Sequence, residues 1–321
     1  MKALANIKDV ARIAGCSIST VSYALNDDKR IPETTAQRIK KIADEIGYLP
    51  SAAARNLKKK NTHTVLVAIS DFGGPVYHEL LDGIHYELTK NDYTMIVSTG
   101  ASTDNLLKER MADGTIISDI NISNHTLKQI SKILKPIIIL DRKLDDTDLV
   151  DMTIDNYDAM YRLTEDVIKK GYQRIAFCHG VQKTHDNEYR FIGFVDALNK
   201  HGLKVYAEYF GNFTKQSGTN IARELINKQD IPEMIVCAND EMAIGIMEVF
   251  QTAGLNIPRD IGISGFDDIE LASYFTPKLS SVRINRFEWG RKIAKTMLSL
   301  LTKHKTEVHK EQGELKIRDS Y

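Results

Sequence analysis

From residue 64 onward, short apolar runs alternate with segments of helical period. The run 65–69 precedes a helix-period segment over about 75–90. Run 93–98 and a short polar helix follow, then run 115–117, a helix near 123–134, and runs 136–140 and 152–154. The pattern then restarts. Helices near 157–170, 189–201, 218–228 and 241–253 alternate with runs 174–178, 205–210, 234–237 and 261–264, and run 281–284 follows. Strands alternating with helices predict an α/β fold, a parallel sheet with helices on both faces. Two successive sets predict two doubly wound parallel α/β lobes. Ligands of such sheets bind at the carboxyl ends of the strands, here in a cleft between the lobes.

The stretch before this pattern is different. Residues 6–26 read NIKDVARIAGCSISTVSYALN. Ile7, Val10, Ala11 and Ala14 fall on one helical face. Asn6 is placed to cap that helix with Asp9 at its third position, and Gly15 to end it. Ser17 then caps a second helix whose Val21 and Leu25 face inward. Ile18, Ser19, Thr20, Ser22 and Tyr23 remain on or near the outer face. Hydroxyls and a phenol suit a groove of acceptors, donors and phosphates. A helix-turn-helix is one reading; an ordinary helical hairpin in a small bundle is the other. Pro32 opens a third helix, in which Ile39, Ile42, Ala43 and Ile46 form a stripe to cover the first two, and Gly47 closes it.

Leu49, Pro50 and the alanine-rich 51–57 come next, followed by Lys58, Lys59 and Lys60. The alanines favour helix, but nine residues are too few for a stable isolated one. The segment is expected to be loose until something orders it. Taken alone, the lysine run reads as a solvated linker.

Net charge is zero, yet unevenly spread. Residues 1–63 hold 12 Lys and Arg against 6 Asp and Glu, a net of +6, and the remainder carries −6. A basic front end on an acidic body is the asymmetry of a nucleic-acid-binding head attached to something else. Cys16, Cys178 and Cys237 are far apart in sequence and form no zinc set, which predicts no metal and a reduced cytosol. No signal-peptide run precedes the fold, and no apolar run approaches a membrane span; a cytoplasmic location is expected.

Catalytic patterns are missing. Asp71-Phe72-Gly73 lacks every other kinase motif. His78-Glu79-Leu80-Leu81-Asp82 lacks the second histidine of a zinc protease. With no phosphate-binding glycine loop or nucleophile elbow, neither an enzyme nor a cofactor is expected. What recurs instead is a polar and aromatic set at strand ends. Asp71 and Phe72 follow the first run, with Tyr77 a turn later; Asp141 and Arg142 follow 136–140. Arg190 opens a helix. Phe213 follows 205–210, Asn239 and Asp240 follow 234–237, and Phe266, Asp267 and Asp268 follow 261–264. Each alone reads as a turn or cap residue. Together, acids, an amide and a guanidinium fork beside aromatic platforms are what a polyhydroxylated ring needs.

The strings IKDVARIAGCSISTVSYALN, IGYLPSAAARNLKKK, NDEMAIG, GISGFDDIELASYFTPKLSSVRI and LKIRDSY closely resemble the LacI/GalR family of bacterial transcriptional regulators, from one end of the chain to the other. The resemblance implies a helix-turn-helix head over 1–48, a hinge helix and linker over 49–61, and an effector-binding and dimerisation domain over 62–321 with a periplasmic-binding-protein-like fold. Lobe one comprises 62–155 and 288–308, and lobe two 156–287 and 309–321. Residues 18–25 become the recognition helix, with Ile18, Ser19 and Tyr23 at base-reading positions, although Ile18 could instead be core. Ser17, Thr20, Ser22 and Asn26 fall where further groove or phosphate contacts are made. Ala54 and Leu57 belong to the hinge, and Leu57 holds the place of a minor-groove wedge, its other reading being a core contact. The effector-contacting positions are Phe72, Tyr77, Asp141, Arg190, Phe213, Asn239 and Asp267. Trp289 aligns near the cleft, as a ligand platform or as hinge packing.

The resemblance thus implies a homodimer on a pseudo-palindromic double-stranded DNA operator. It acts as a repressor of a carbohydrate-use operon, controlled by a small-molecule effector through linkage between two sites. A sugar is favoured, and a purine-type ligand uses several of the same positions. A binding protein without regulatory role and an enzyme on the same scaffold are the competing classes. Two departures stand out. Segment 101–112 is short for the family, which predicts a truncated second helix in lobe one. No heptad tail follows Arg318, Asp319 and Ser320, so a dimer is expected, not a tail-mediated tetramer.

Overall fold

Asn6 starts the first helix. Its side chain accepts from the Lys8 and Asp9 amides at 2.9 and 3.3 Å, and Asp9 accepts the Asn6 amide in return at 3.1 Å. This reciprocal box satisfies donors that the first turn leaves open. Helix α1 (Ile7–Ala14) ends at Gly15 in the left-handed conformation. Ser17 caps α2 (Ile18–Leu25) through the Thr20 amide, and α3 (Glu33–Glu45) follows Pro32. Val10, Ala11, Val21, Ile39 and Ala43 build a small core. Ala24 and Ala36, which the apolar spacing passed over, complete it because three closely packed helices need small side chains where they meet. Ile18 is 45 % exposed and stands outside this core, so its core reading falls.

This computed structural model describes residues 5–49, 61–134, 136–144, 149–304, 308 and 310–321. The chain divides into two units, Met1–Thr62 and His63–Tyr321. The second unit opens with β1 (Thr64–Ile69), α4 (Val76–Lys90), β2 (Thr94–Thr99), α5 (Ala101–Lys108) and β3 (Gly114–Ser118). It continues with α6 (Asn124–Ile130), β4 (Ile137–Ile139) and β5 (Val150–Asp151). These strands form one parallel sheet in the order β2-β1-β3-β4-β5. Then come α7 (Asn156–Lys169), β6 (Ile175–His179), α8 (His185–Lys200), β7 (Glu208–Phe210), α9 (Lys215–Lys228), β8 (Met234–Cys237), α10 (Asp240–Thr252) and β9 (Gly262–Ser264). They make a second parallel sheet, β7-β6-β8-β9. Helix α11 (Glu270–Tyr274), β10 (Ser281–Arg283), α12 (Arg286–Leu301) and β11 (Glu314–Lys316) finish the fold, β10 and β11 pairing antiparallel. The architecture is mixed α/β, with doubly wound parallel sheets. In each sheet the first strand is flanked by the next two, so the order reverses there and a crevice opens at the carboxyl ends.

Several elements differ from the sequence reading. Helix α8 begins four residues earlier than expected, so Arg190 lies in its second turn and does not open it. The polar first turn of α8 hides the apolar period that would have marked it. Strand β7 is three residues long, because 205–207 follow the sheet edge without a full ladder; Phe177 still donates to the Ala207 carbonyl. The fifth strand of the first sheet is Val150–Asp151, just before the expected run. Helix α12 went unread, although Asn285 caps it through the Glu288 amide. It lies against α4. An added Cβ at Gly83 would stand 2.1 Å from the Phe287 carbonyl oxygen, and one at Gly290 2.3 Å from that of Leu80. Only glycine at both crossing points lets the two backbones approach this closely. Helix α5 has eight residues, against fifteen in α4.

Candidate functional site

The carboxyl ends of both parallel sheets border one cavity of about 370 Å³, within the range of small-molecule sites. Ser70 and Asp71 come from the end of β1, Ser118 from β3 and Asp141 from beyond β4. Phe213 follows β7, Asn239 follows β8, and Asp267 follows β9. Arg190 enters from α8, Glu241 from α10, and Arg286 and Trp289 from the first turns of α12.

The floor is a buried charge network. Arg190 is 3 % exposed. Its Nε donates to Asn156 Oδ1 at 2.8 Å and its Nη1 to the Ala238 carbonyl at 2.6 Å. Its guanidinium lies 3.7 Å over the Phe266 ring, and Nη2 is 3.9 Å from both Asp186 and Asp267. Burial lowers its pKa from the usual arginine range, against the pull of Asp267 and Asp186. Arg286 Nη2 donates to Asp267 Oδ1 at 2.5 Å. Asp267 thus serves two guanidinium groups, which makes an arginine–carboxylate–arginine bridge. Burial pushes the Asp186 carboxyl up, but His185, Arg190 and Arg286 together hold it below the carboxylate range. Two donors of this floor find no acceptor among the described residues: Arg286 Nε and Trp289 Nε1, both buried. Buried donors are normally paired, and these two are not.

Backbone strain collects on the same wall. Asp267 has φ of +106° and Phe213 of +68°. Non-glycine residues held there cost about 1–3 kcal/mol each and cluster at binding sites. The Phe213 ring lies so close to Gly180 that a Cβ there would stand 2.1 Å from it. The carbonyl of Phe213 accepts from Asn239 Nδ2 at 2.8 Å, while Asn239 Oδ1 caps α10 through the Met242 amide. Asp141 is committed to Arg142 by two bonds of 3.0 and 2.7 Å. Burial raises its pKa all the same, and raises that of Tyr77, whose hydroxyl donates to the Ser118 carbonyl at 3.2 Å.

Of the eight expected effector positions, Tyr77, Asp141, Arg190, Phe213, Asn239, Asp267 and Trp289 line this cavity. Phe72 does not: its side chain is 72 % exposed, because the turn after β1 carries it outward while Asp71 points in. Sequence reading missed Asp186, Glu241 and Arg286. Asp186 and Arg190 are four apart on α8, and Arg286 and Trp289 three apart on α12, a spacing that marks a shared face and is the signal in the sequence that points to Asp186 and Arg286. Among the described residues, no cluster of His, Cys, Asp and Glu has the makings of a metal site.

In the first unit, Ser17, Ile18, Ser19 and Asn26 are exposed, and Thr20, Ser22 and Tyr23 half-buried. Some of their polar atoms are already used. Ser17 and Thr20 hydroxyls meet at 2.9 Å, and Asn26 Nδ2 donates to the Ser22 carbonyl at 2.6 Å. The Arg30 guanidinium lies 4.0 Å over the Tyr23 ring and is fixed from behind by Asp28 at 2.9 and 2.6 Å. Asp28 is pushed down to about 2 by that arginine. Tyr23 and Arg30 therefore form one aromatic and cationic unit on the outer face. Ser19 and Ile18 stand free beside it. Ala54 and Leu57 lie outside the described residues.

Residues 6–51 match the family of bacterial regulatory proteins of the lacI type, and residues 164–321 match the periplasmic binding protein-like domain. The HTH-type transcriptional repressor PurR of Vibrio vulnificus (strain CMCP6) is 30 % identical over 99 % of this chain and 98 % of its own. The crystal structure of the lac repressor dimer bound to operator and the anti-inducer ONPF superposes with a TM-score of 0.87 at 23 % identity, covering 99 % of each chain. A sugar-binding transcriptional regulator (LacI family) from Enterococcus faecalis reaches 0.76 at 27 % identity, over 82 % of this chain and 99 % of its own.

Proposed function

The chain belongs to the lacI family of bacterial regulatory proteins and is a DNA-binding transcriptional regulator; we propose that it represses a carbohydrate-use operon and is controlled by a sugar bound in the cavity of the second unit. The observation that carries the sugar reading is the Arg190–Asp267–Arg286 bridge beside the open donors of Arg286 and Trp289. Hydroxyl groups both donate and accept. A sugar edge satisfies Asp267 and the free N–H groups at once, while the Trp289 and Phe213 rings offer platforms to its C–H faces. A site so built rejects an analogue lacking the hydroxyl, because a buried charged partner is left unmade. The sugar-binding relative from Enterococcus faecalis supports the same class.

In this reading Ile18, Ser19 and Tyr23 contact base edges, and Ser17, Thr20, Ser22 and Asn26 the adjoining groove and phosphates. Ala54 and Leu57 act from the hinge. Eight residues of recognition helix span a few base pairs, so a homodimer reading two half-sites of a pseudo-palindrome supplies the selectivity. Effector and operator affinities are coupled, and the coupling is reciprocal.

Operator selection from a random duplex pool, followed by fluorescence anisotropy with and without candidate sugars, tests the proposal. A site-specific, salt-sensitive complex whose affinity changes about tenfold or more with one sugar is expected. Absence of any selected sequence sinks the regulatory reading. A response to purines alone sinks the sugar reading; the flat aromatic walls of Tyr77, Phe213 and Trp289 make purines the alternative to include.

A further inference from the structure

Five carboxylates line the cavity: Asp71, Asp141, Asp186, Glu241 and Asp267. Three of them have a cation at hand. Asp141 is held by Arg142, Asp186 lies by Arg190, and Asp267 is bonded to Arg286. Asp71 and Glu241 are different. Among the described residues, neither forms an ion pair with a basic side chain. Asp71 accepts the Gly73 amide at 2.7 Å. Glu241 meets the backbone amide of Lys215 at the start of α9, while the Lys215 ammonium is spent on Glu248 at 2.6 Å. The two acids belong to opposite sides of the opening, Asp71 to the turn after β1 and Glu241 to the first turn of α10. The sides are close: a Cβ on Gly74 would stand 3.3 Å from Glu241 Oε1. Burial and the Asp267 charge push the Glu241 carboxyl up, and Asp71 adds to the push.

The cavity therefore holds two carboxylates, Asp71 and Glu241, that among the described residues no basic side chain pairs. The open donors do not reverse this. Arg286 Nε and Trp289 Nε1 each offer one hydrogen bond, but the Arg286 charge is already matched by Asp267. An anionic group seeking that guanidinium has to displace a carboxylate 2.5 Å away and pass two others.

We propose that Asp71 and Glu241 act as a charge filter on the effector: the cavity takes an uncharged ligand and rejects its phosphorylated and carboxylate-bearing counterparts. The inference rests on the effector reading of the cavity and adds to it the charge class. A unit charge about 8 Å from a carboxylate, at an effective dielectric near 20, is disfavoured roughly thirtyfold. Salt weakens this at the more exposed Asp71, so a discrimination of about tenfold or more per carboxylate is expected.

The test is a thermal-shift panel on the full chain with matched sets at about 10 mM. Glucose and galactose are run beside their 6-phosphates and their uronic acids, and adenine, hypoxanthine and adenosine beside AMP. An uncharged member is expected to raise the melting point by about 2 °C or more, its anionic counterpart not at all. Calorimetry on the pair then gives the affinity ratio for the wild type and for Asp71→Asn/Glu241→Gln, in which the ratio is expected to fall about a hundredfold, about tenfold for each carboxylate removed. Should only an uncharged purine or nucleoside bind, the sugar reading fails and the charge filter stands. Anionic members binding as well as their neutral partners overturn it, and so does a panel in which no uncharged member binds. An unchanged ratio in the double variant, with a melting point within a few degrees of wild type, also overturns it.

Discussion

Trp289 lines the cavity and Asp240 lies outside its lining, and each is a buried polar side chain whose surroundings have a measurable consequence. Trp289 is buried with an indole N–H that no group among the described residues accepts. Such a donor costs about 1–3 kcal/mol in the unliganded state and returns it when a ligand accepts the bond. Trp289→Phe keeps a ring on the wall and removes the donor. The stability of the unliganded protein is therefore expected to stay within about 1 kcal/mol of wild type, while effector affinity falls about tenfold. Paired denaturation and calorimetry separate the two. Asp240, one residue past the Asn239 cap, is fully buried, and burial together with Asp267 raises its pKa well above the ordinary carboxylate value. Ser281 Oγ donates to its Oδ1 at 2.6 Å and the Ile269 amide to its Oδ2 at 2.8 Å. An acid whose folded-state pKa is raised keeps a proton that the unfolded chain has released. Its contribution to stability is therefore lost as pH climbs from about 4 toward the folded value, by at most about 1.4 kcal/mol per pH unit. Asp240→Asn resembles the protonated form. Urea unfolding at pH 5 and pH 8 is expected to show a smaller fall in stability for the variant than for wild type.

Among the elements, α4 and α12 decide where the last third of the chain goes. Their crossing at Gly83 and Gly290 holds the first turn of α12, and hence Arg286 and Trp289, against the first sheet. Gly83→Ala places a methyl 2.1 Å from the Phe287 carbonyl. The helices must separate, at an expected cost of about 2–4 kcal/mol by urea unfolding, and effector affinity falls with them because α12 carries two cavity donors. An unaltered affinity would mean that α12 does not position the site. The same helix shows the limit of reading elements from sequence. Strands such as Met234–Cys237 were legible because a buried parallel strand is an unbroken apolar run. The caps at Asn6 and Ser17 were legible because capping is local chemistry. Seven of the eight expected effector positions line the cavity: Asp141, Phe213, Asn239 and Asp267 because parallel sheets place strand-end residues on one side, and Tyr77, Arg190 and Trp289 from helices. Phe72 escaped that rule because a turn sets its direction, not a strand. Asp186, Glu241 and Arg286 were illegible for a related reason: each acts from the first turn or two of a helix, and helix starts with polar faces carry little apolar period.

At the scale of the whole molecule, the charge asymmetry and the cavity have to meet in one measurable quantity. The first 63 residues carry a net of +6, the remainder −6. Non-specific attraction to DNA arises from released counterions and grows with the number of phosphates neutralised, so the basic stretch alone dictates the salt slope. A net negative charge on the remainder is repelled by the duplex only within about a Debye length, ~10 Å at 0.1 M salt. Removing residues 1–62 at the boundary between the two units is therefore expected to abolish operator binding and leave effector affinity within about twofold, because every described cavity residue lies in His63–Tyr321. In the full chain, the effector that changes operator affinity by some factor must have its own affinity changed by that same factor when operator is saturating. Titrating the effector by calorimetry with and without operator, and operator by anisotropy with and without effector, gives the two factors independently. Equality of the two factors follows from any equilibrium coupling and checks that both titrations are at equilibrium; the salt slope is what discriminates. A slope that the effector leaves unchanged argues for control by a shift between two states of the protein, and a slope that falls with effector moves control to the phosphate contacts of the head itself.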